Sequence, residues 1–286
     1  MRSVAVLDGV LVPSDRATIP ISDRGFLYGD AVFEILRTYD GALPFAAEHV
    51  ERAVAAARTL GITDEHTSAE SLLHALDAAV RAASLAPGED AVLRLVVTRG
   101  DGAGIDVPER AIARVVVTVA PYVPSPSLAN GLVAVTAARV GVIPGLKTGS
   151  YLGNVLARRA ARSAGADEAV FVEDGALLEC AGANLFAVSA RGVSTAPDEA
   201  GVLPGITRRH VAELARDAGL DVSWKAPRLD GMASVSELFA TSSVRGVVPI
   251  RELRVDGQAV FRRADWPVTS RLADAWQRLA RSLAVG

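Results

Sequence analysis

A chain of 286 residues, half of them hydrophobic, is too long for one small core and suits two modest domains or one large one. Its net charge of −3 provides neither a basic groove for nucleic acid nor a basic face for an anionic membrane, and the single cysteine, Cys180, excludes an internal disulfide. A reducing cytoplasm fits this usage; the opening residues reach Asp8 before any long apolar run, so no signal peptide is expected, and no run is long enough to span a bilayer.

In chain order, Ser3–Asp8 and Ala31–Thr38 read as strands. In the second, Phe33, Ile35 and Arg37 alternate with Val32, Glu34 and Leu36. From Ala46 to Leu60 the apolar residues Val50, Ala53, Val54, Ala57 and Leu60 recur at helical spacing, and Gly61 ends the helix. Ser68–Ala83 is a second helix, and the valine-rich Val92–Thr98 and Ile112–Ala120 are strands. Elements cluster by type rather than alternating, which favours α+β over a doubly wound α/β sheet. Three prolines in Pro121–Ser127 read as a stiff linker. The expected division is an N-terminal domain over 1–120, a linker over 121–130 and a C-terminal domain over 131–286. Beyond the linker, Leu132–Ala138, Ala169–Glu173, Asn184–Ser189, Leu238–Thr241 and Val247–Ile250 read as strands. Leu152–Ser163, Thr207–Ala218 (closed by Gly219) and Trp266–Leu283 read as helices.

The chain carries two lysines, Lys147 and Lys225, among 30 basic residues. Where charge alone is needed this sequence uses arginine, so a lysine among small residues is a candidate for chemistry that requires losing a proton and attacking a carbonyl. Lys147 follows the Gly/Pro loop Gly141–Gly145 and opens Lys147-Thr148-Gly149-Ser150-Tyr151-Leu152-Gly153-Asn154; a surface loop lysine is the plainer alternative. Gly205-Ile206-Thr207-Arg208 opens a helix, where backbone N–H groups and the dipole favour a phosphate, although an ordinary threonine cap would look the same. Thr241-Ser242-Ser243 supplies further hydroxyls, and Arg52, in His49-Val50-Glu51-Arg52, could reach a phosphate or simply face solvent. Glu179, before Cys180-Ala181-Gly182-Ala183-Asn184, is a turn residue by itself; beside a pyridine nitrogen such a carboxylate keeps the nitrogen protonated. Together these residues supply an amine nucleophile, a partner for a pyridine and several phosphate donors, the parts of a pyridoxal 5′-phosphate (PLP) site. No metal-ligand pattern is present.

Taken together, Asp23-Arg24-Gly25-Phe26-Leu27-Tyr28-Gly29-Asp30 with Phe33-Glu34, Glu48-His49-Val50-Glu51-Arg52, Lys147–Asn154, Gly165–Ala169, Glu179 and Leu203–Arg208 resemble the class IV, fold type IV, PLP-dependent aminotransferases over most of the chain. That group includes branched-chain and D-amino-acid aminotransferases and aminodeoxychorismate lyases. The resemblance implies a small N-terminal and a larger C-terminal domain with the site between them, and a homodimer whose partner chain completes the pocket. It implies Lys147 as Schiff-base lysine and proton shuttle, Glu179 on the pyridinium, and Arg52, Ile206 (through its N–H), Thr207 and Ser243 on the phosphate, with Gly205 and Ser242 beside them. By the same resemblance Leu203 is expected to pack on the ring and Tyr151 to lie near it, and Phe33 and Arg94 are expected to face the substrate.

The chain departs from each subgroup's pattern. After Thr98-Arg99-Gly100 come Asp101-Gly102-Ala103-Gly104-Ile105-Asp106, without the arginine and histidine that trap the substrate carboxylate in the D-amino-acid enzymes. Arg94 matches a branched-chain arginine, but Val92 replaces the tyrosine two residues before it, and Ile35 stands where the lyases carry a threonine. The expectation is a transaminase moving an amino group between a small-molecule amino donor and a 2-oxo acid, with D-amino acids or (R)-amines as donors. Branched-chain L-amino acids are close behind, the lyase follows, and an inert PLP-binding protein is the non-enzyme alternative. Arg94 is expected to anchor a carboxylate or to pair structurally with Glu34.

Overall fold

The computed structural model describes residues 4–125, 127–141 and 143–284. Ser3, Pro126 and Val142, read above into the first strand, the linker and the loop before Lys147, lie outside the described residues. The chain gathers into two compact units. One comprises Met1–Val123, Leu146–Ser150 and Ala280–Gly286, the other Pro124–Gly145 and Tyr151–Leu279.

In chain order the first unit contains β1 (Val4–Leu7), β2 (Val10–Pro13), α1 (Arg24–Tyr28), β3 (Ala31–Arg37), α2 (Ala46–Thr59), α3 (Ala69–Ala83), β4 (Ala91–Thr98) and β5 (Arg114–Pro121). Among the described residues these strands form an antiparallel sheet in the order β2-β1-β5-β4-β3. Period-two alternation places Leu93, Leu95 and Val97 opposite Val119, Val117 and Val115, and with Val32 and Leu36 they make one apolar face. Onto that face pack Val50, Ala53 and Ala57 of α2 and Leu72, Ala75, Leu76 and Ala79 of α3, at the three- and four-residue spacing the sequence showed. The Ser68 hydroxyl accepts the Ser71 N–H and so caps α3. Leu76 is 1% exposed, so truncating it to alanine would cost about 2–5 kcal/mol.

The second unit contains α4 (Ser127–Asn130), β6 (Leu132–Ala138), α5 (Leu152–Ser163), β7 (Glu168–Glu173), β8 (Ala176–Cys180), β9 (Ala183–Ser189), β10 (Gly192–Thr195), α6 (Ile206–Asp217), β11 (Val222–Trp224), β12 (Val235–Ser242), β13 (Gly246–Val255) and β14 (Gln258–Arg262), with α7 (Pro267–Ser282) included through Leu279. Its sheet runs β11-β10-β9-β12-β13-β6-β7-β8, with β14 on β13. A further pairing of β8 with β9 closes β9-β12-β13-β6-β7-β8 into a ring. Leu132, Val170, Leu185, Leu238, Ile250 and Leu253 form one apolar layer of this sheet, and Val133, Ala169 and Phe171 form another with Ala157 and Ala161 of α5. The short strands β2, β10 and β14 escaped the sequence reading. Within 121–130, Pro121 ends β5 and Ser127–Asn130 make a helical turn. No helix among the described residues is long and apolar enough to cross a membrane.

Candidate active site

Lys147 sits in the segment Leu146–Ser150, which contacts place in the first unit because it lies along β3. The Phe33 N–H donates to the Lys147 carbonyl at 3.0 Å and the Gly149 N–H to the Ala31 carbonyl at 2.7 Å. Gly29, at φ +69°, allows this approach: a Cβ there would lie 2.9 Å from the Ser150 nitrogen. The buried ring of Phe33 has the Lys147 Nζ 4.4 Å from its centroid and the Arg94 guanidinium carbon 4.1 Å from it. The signature acids serve the scaffold. Asp23 caps α1, and Asp30 takes the Nε groups of both Arg24 and Arg99. Burial works to raise the Asp30 carboxyl, but these two arginines hold it below its ordinary value.

Arg94 is exposed, although it lies in a valine-rich strand. The reason is register. Arg94 pairs with Ile35 and therefore shares the Phe33 face, whereas α2 and α3 cover the Leu93–Leu95 face. Glu34 lies on that covered face, 1% exposed, and its carboxylate takes Arg52 Nε and Nη2, both at 2.7 Å, and His49 Nδ1 at 2.8 Å. Desolvation raises the Glu34 carboxyl, yet the Arg52 charge and the hydrogen bonds from His49 and Arg52 outweigh it and lower its pKa to about 2. Burial lowers the pKa of His49, outweighing the Glu34 hydrogen bond, with the Arg52 and Lys147 charges acting in the same direction as burial. Facing a carboxylate, which only accepts, the ring donates its Nδ1–H to Glu34. Arg52, read as a phosphate arginine, is thus held in a fork by Glu34.

In the second unit, Glu179, Asn184 and Thr241 stand side by side across β8, β9 and β12. Glu179 is 9% exposed, and its Oε2 accepts the Leu203 N–H at 3.0 Å. Gly205 caps α6 without a side-chain hydrogen bond, so the Ile206 and Thr207 N–H groups open the helix with no side chain of the cap over them. Thr207 Oγ1 and Thr241 Oγ1 are buried and have no hydrogen-bond partner. Ser242 Oγ accepts the Arg245 N–H at 3.3 Å, and Ser243 follows β12 directly. Tyr151 and Asn154 both donate to the Ala181 carbonyl, at 3.0 and 2.9 Å. The sequence reading offered Thr241 only as one of three hydroxyl donors, and it gave Asn184, Glu34 and His49 no role at the cofactor; register gathers Asn184 and Thr241 with Glu179. No spacing along the chain reveals that cross-strand gathering.

These residues fit the expected cofactor. A buried hydroxyl without a partner costs about 1–3 kcal/mol, and the two threonines with the open turn of α6 are donors suited to a phosphate ester. A buried carboxylate suits a protonated pyridine nitrogen.

Comparison with known proteins agrees. The family Amino-transferase class IV matches residues 31–253. A Methanocaldococcus jannaschii protein assigned as a branched-chain-amino-acid aminotransferase is 33% identical over 280 residues, covering 95% of this chain and 94% of that protein. The D-alanine aminotransferase of Bacillus licheniformis is 30% identical over 283 residues, with 95% of each chain covered. The T.th. branched-chain amino acid aminotransferase, solved with pyridoxamine 5′-phosphate, superimposes with a TM-score of 0.88 at 26% identity, covering 99% of this chain and 95% of that one. The chain therefore belongs to the class IV aminotransferases, and it is a PLP-dependent aminotransferase of fold type IV.

Proposed function

We propose that the enzyme takes its amino group from D-amino acids and (R)-amines and passes it to a 2-oxo acid. Lys147 is the covalent attachment point for the cofactor and the group that moves the substrate proton. Glu179 faces the ring nitrogen, Leu203 packs on the ring and Tyr151 lies beside it. The Ile206 N–H, Thr207, Arg52, Ser242 and Ser243 hold the phosphate, and Gly205 leaves them room; Thr241 joins this set on its partnerless buried hydroxyl. When bound, PLP supplies an aldehyde and an electron-withdrawing ring.

The observation that carries the substrate reading is the shared ring of Phe33, which brings an amine, Lys147, and a carboxylate-binding cation, Arg94, to one place. Arg99, in the loop where D-amino-acid enzymes keep their trap, is occupied with Asp30 and the Leu60 and Gly61 carbonyls. Capture of the carboxylate then falls to an exposed arginine. An exposed arginine stays hydrated when a donor brings no carboxylate, so simple amines are not penalised. Branched-chain L-amino acids are the second reading, supported by the likeness to the Methanocaldococcus jannaschii and T.th. proteins. The exposed apolar side of α5, Leu152, Val155 and Leu156, supports a homodimer, and the lone buried thiol supports a cytoplasmic setting.

The test is a donor screen with and without Arg94. Wild-type enzyme is expected to accept D-alanine and (R)-1-phenylethylamine. Arg94→Leu should lose D-alanine kcat/KM by about 10- to 100-fold, the worth of one charge-assisted hydrogen-bond pair, and keep the amine. Equal losses on both donors would remove Arg94 as the anchor, and wild-type preference for L-leucine over D-alanine would favour the second reading.

A further inference from the structure

We propose that Asn184 is the positioning residue that fixes Glu179, Leu203 and the start of α6 against one another; the proposal rests on the reading of Glu179 and α6 given above. Asn184 lies on β9 and is 4% exposed. Its Nδ2 carries two hydrogens. It donates to the Leu203 carbonyl at 2.9 Å and, at 3.4 Å, to Glu179 Oε2. The Leu203 N–H donates to that same Oε2 at 3.0 Å. The three residues thus close a ring of hydrogen bonds, with the amide between the carboxylate and the backbone of the segment leading into α6. The other end of the amide sets the helix. A Cβ on Gly205 would run into Asn184 Oδ1, so the α6 cap lies directly against this oxygen and only glycine fits there. One buried side chain therefore touches the proposed pyridine partner, the residue that packs on the ring and the cap of the phosphate helix. It stands beside Thr241 on the next strand as well.

Few residues could do this. Aspartate has nearly the same shape but no N–H, and it would set a second anion against Glu179 and the Leu203 carbonyl. Alanine would leave both acceptors and a hole. In either case Glu179 and α6 would no longer be held to one spacing, while the strands pair through their backbones as before.

The experiment compares Asn184→Asp, Asn184→Ala, Glu179→Gln and the Glu179→Gln/Asn184→Ala double variant in the full-length enzyme. Apoprotein is titrated with PLP, and thermal melts are recorded with and without the cofactor. Both single Asn184 variants should keep a cooperative apoprotein melt, bind PLP about tenfold more weakly and gain less melting temperature from it. Their kcat should fall about tenfold while the amino-donor KM stays within about twofold. In the Glu179→Gln background the Asn184→Ala change should cost less than about twofold further in kcat, because the group it positions is already gone. Wild-type PLP affinity and kcat in Asn184→Asp would overturn the proposal, as would full multiplication of the losses in the double variant. A purely structural role would lower apo and holo melts equally and leave PLP affinity unchanged, and that outcome also overturns it. If Asn184→Ala fails to fold, the near-isosteric Asn184→Asp decides. Wild-type turnover in Glu179→Gln would overturn the reading of Glu179 itself, whereas an impaired Glu179→Gln beside an unimpaired Asn184→Asp would overturn the Asn184 proposal alone.

Discussion

The Glu34 cluster and the start of α6 are both buried polar regions, and they are completed in opposite ways. Around Glu34 the chain supplies its own counter-charges: the carboxylate takes the Arg52 fork and the His49 N–H. At α6 and the end of β12 the chain stops short, leaving Thr207 and Thr241 with buried hydroxyls that meet no partner. Buried polar groups are normally satisfied, so the satisfied Glu34 carboxylate serves the fold and orients Arg52, whereas the partnerless hydroxyls suit a ligand. Substitution of Glu34 should register mainly as stability, and substitutions in the second region mainly as cofactor affinity and turnover.

The largest expected effect is on Glu34. Glu34→Gln leaves the Arg52 guanidinium and His49 without their anion and should destabilise the apoprotein by about 3–5 kcal/mol in urea unfolding. A loss below about 1 kcal/mol would show that the ion pair adds little to the fold and would break the comparison. Next comes Glu179→Gln, which should keep apoprotein stability and bind PLP but lose about a hundredfold or more in kcat, as removal of one preorganised electrostatic partner does. Unchanged turnover would refute its role. Smaller, and opposite in sign for the two readouts, is the effect of Thr207→Val. Removing a buried, partnerless hydroxyl should raise apoprotein stability by about 1 kcal/mol while weakening PLP by about fivefold. A variant that loses apo stability would mean the hydroxyl is satisfied without the cofactor.

The remaining effect, spread over several pH units, is on acid sensitivity, and its sign follows from the two depressed pKa values. His49 is held below its ordinary 6.5, so the unfolded chain takes up a proton first, and its contribution, complete above pH 6.5, declines as pH falls below it. Glu34 falls from an ordinary 4.5 to about 2, so its contribution is complete above pH 4.5 and is lost on the way down to pH 2. The apoprotein unfolding free energy from urea titrations should therefore drop in two stages, each with a slope of at most about 1.4 kcal/mol per pH unit. Glu34→Gln should abolish the lower stage; its persistence in that variant would assign it to other carboxylates.

Much of this was legible in the sequence, and the boundary is physical. The helix expected over 46–60 is α2, Ala46–Thr59, and the strand at 31–38 is β3, Ala31–Arg37, because long periodic segments declare their period. β10 and β14, of four and five residues, do not. Lys147, Glu179 and Thr207 stood out because ordered motifs surround them. The partners of Arg52 and Asn184 did not, since Glu34 meets Arg52 across a helix–sheet interface and Asn184 meets Glu179 through strand register. The alternation of β4 does not say which face the helices cover, and Arg94 proved exposed.

The strand ring of the second unit has a consequence for synthesis on the ribosome. β6 pairs in parallel with β13, joining Leu132 to Ile250, so its closing partner is among the last strands to be made. Until Val255 has emerged, β6 and β12 present raw edges, and the row of Glu179, Asn184 and Thr241 has no closed wall behind it. Such long-range pairing closes slowly, so the nascent second unit passes through an open, edge-exposed form that invites chaperone capture. A cofactor held as proposed above would find Glu179 and Thr241 set beside Asn184 only after that last pairing.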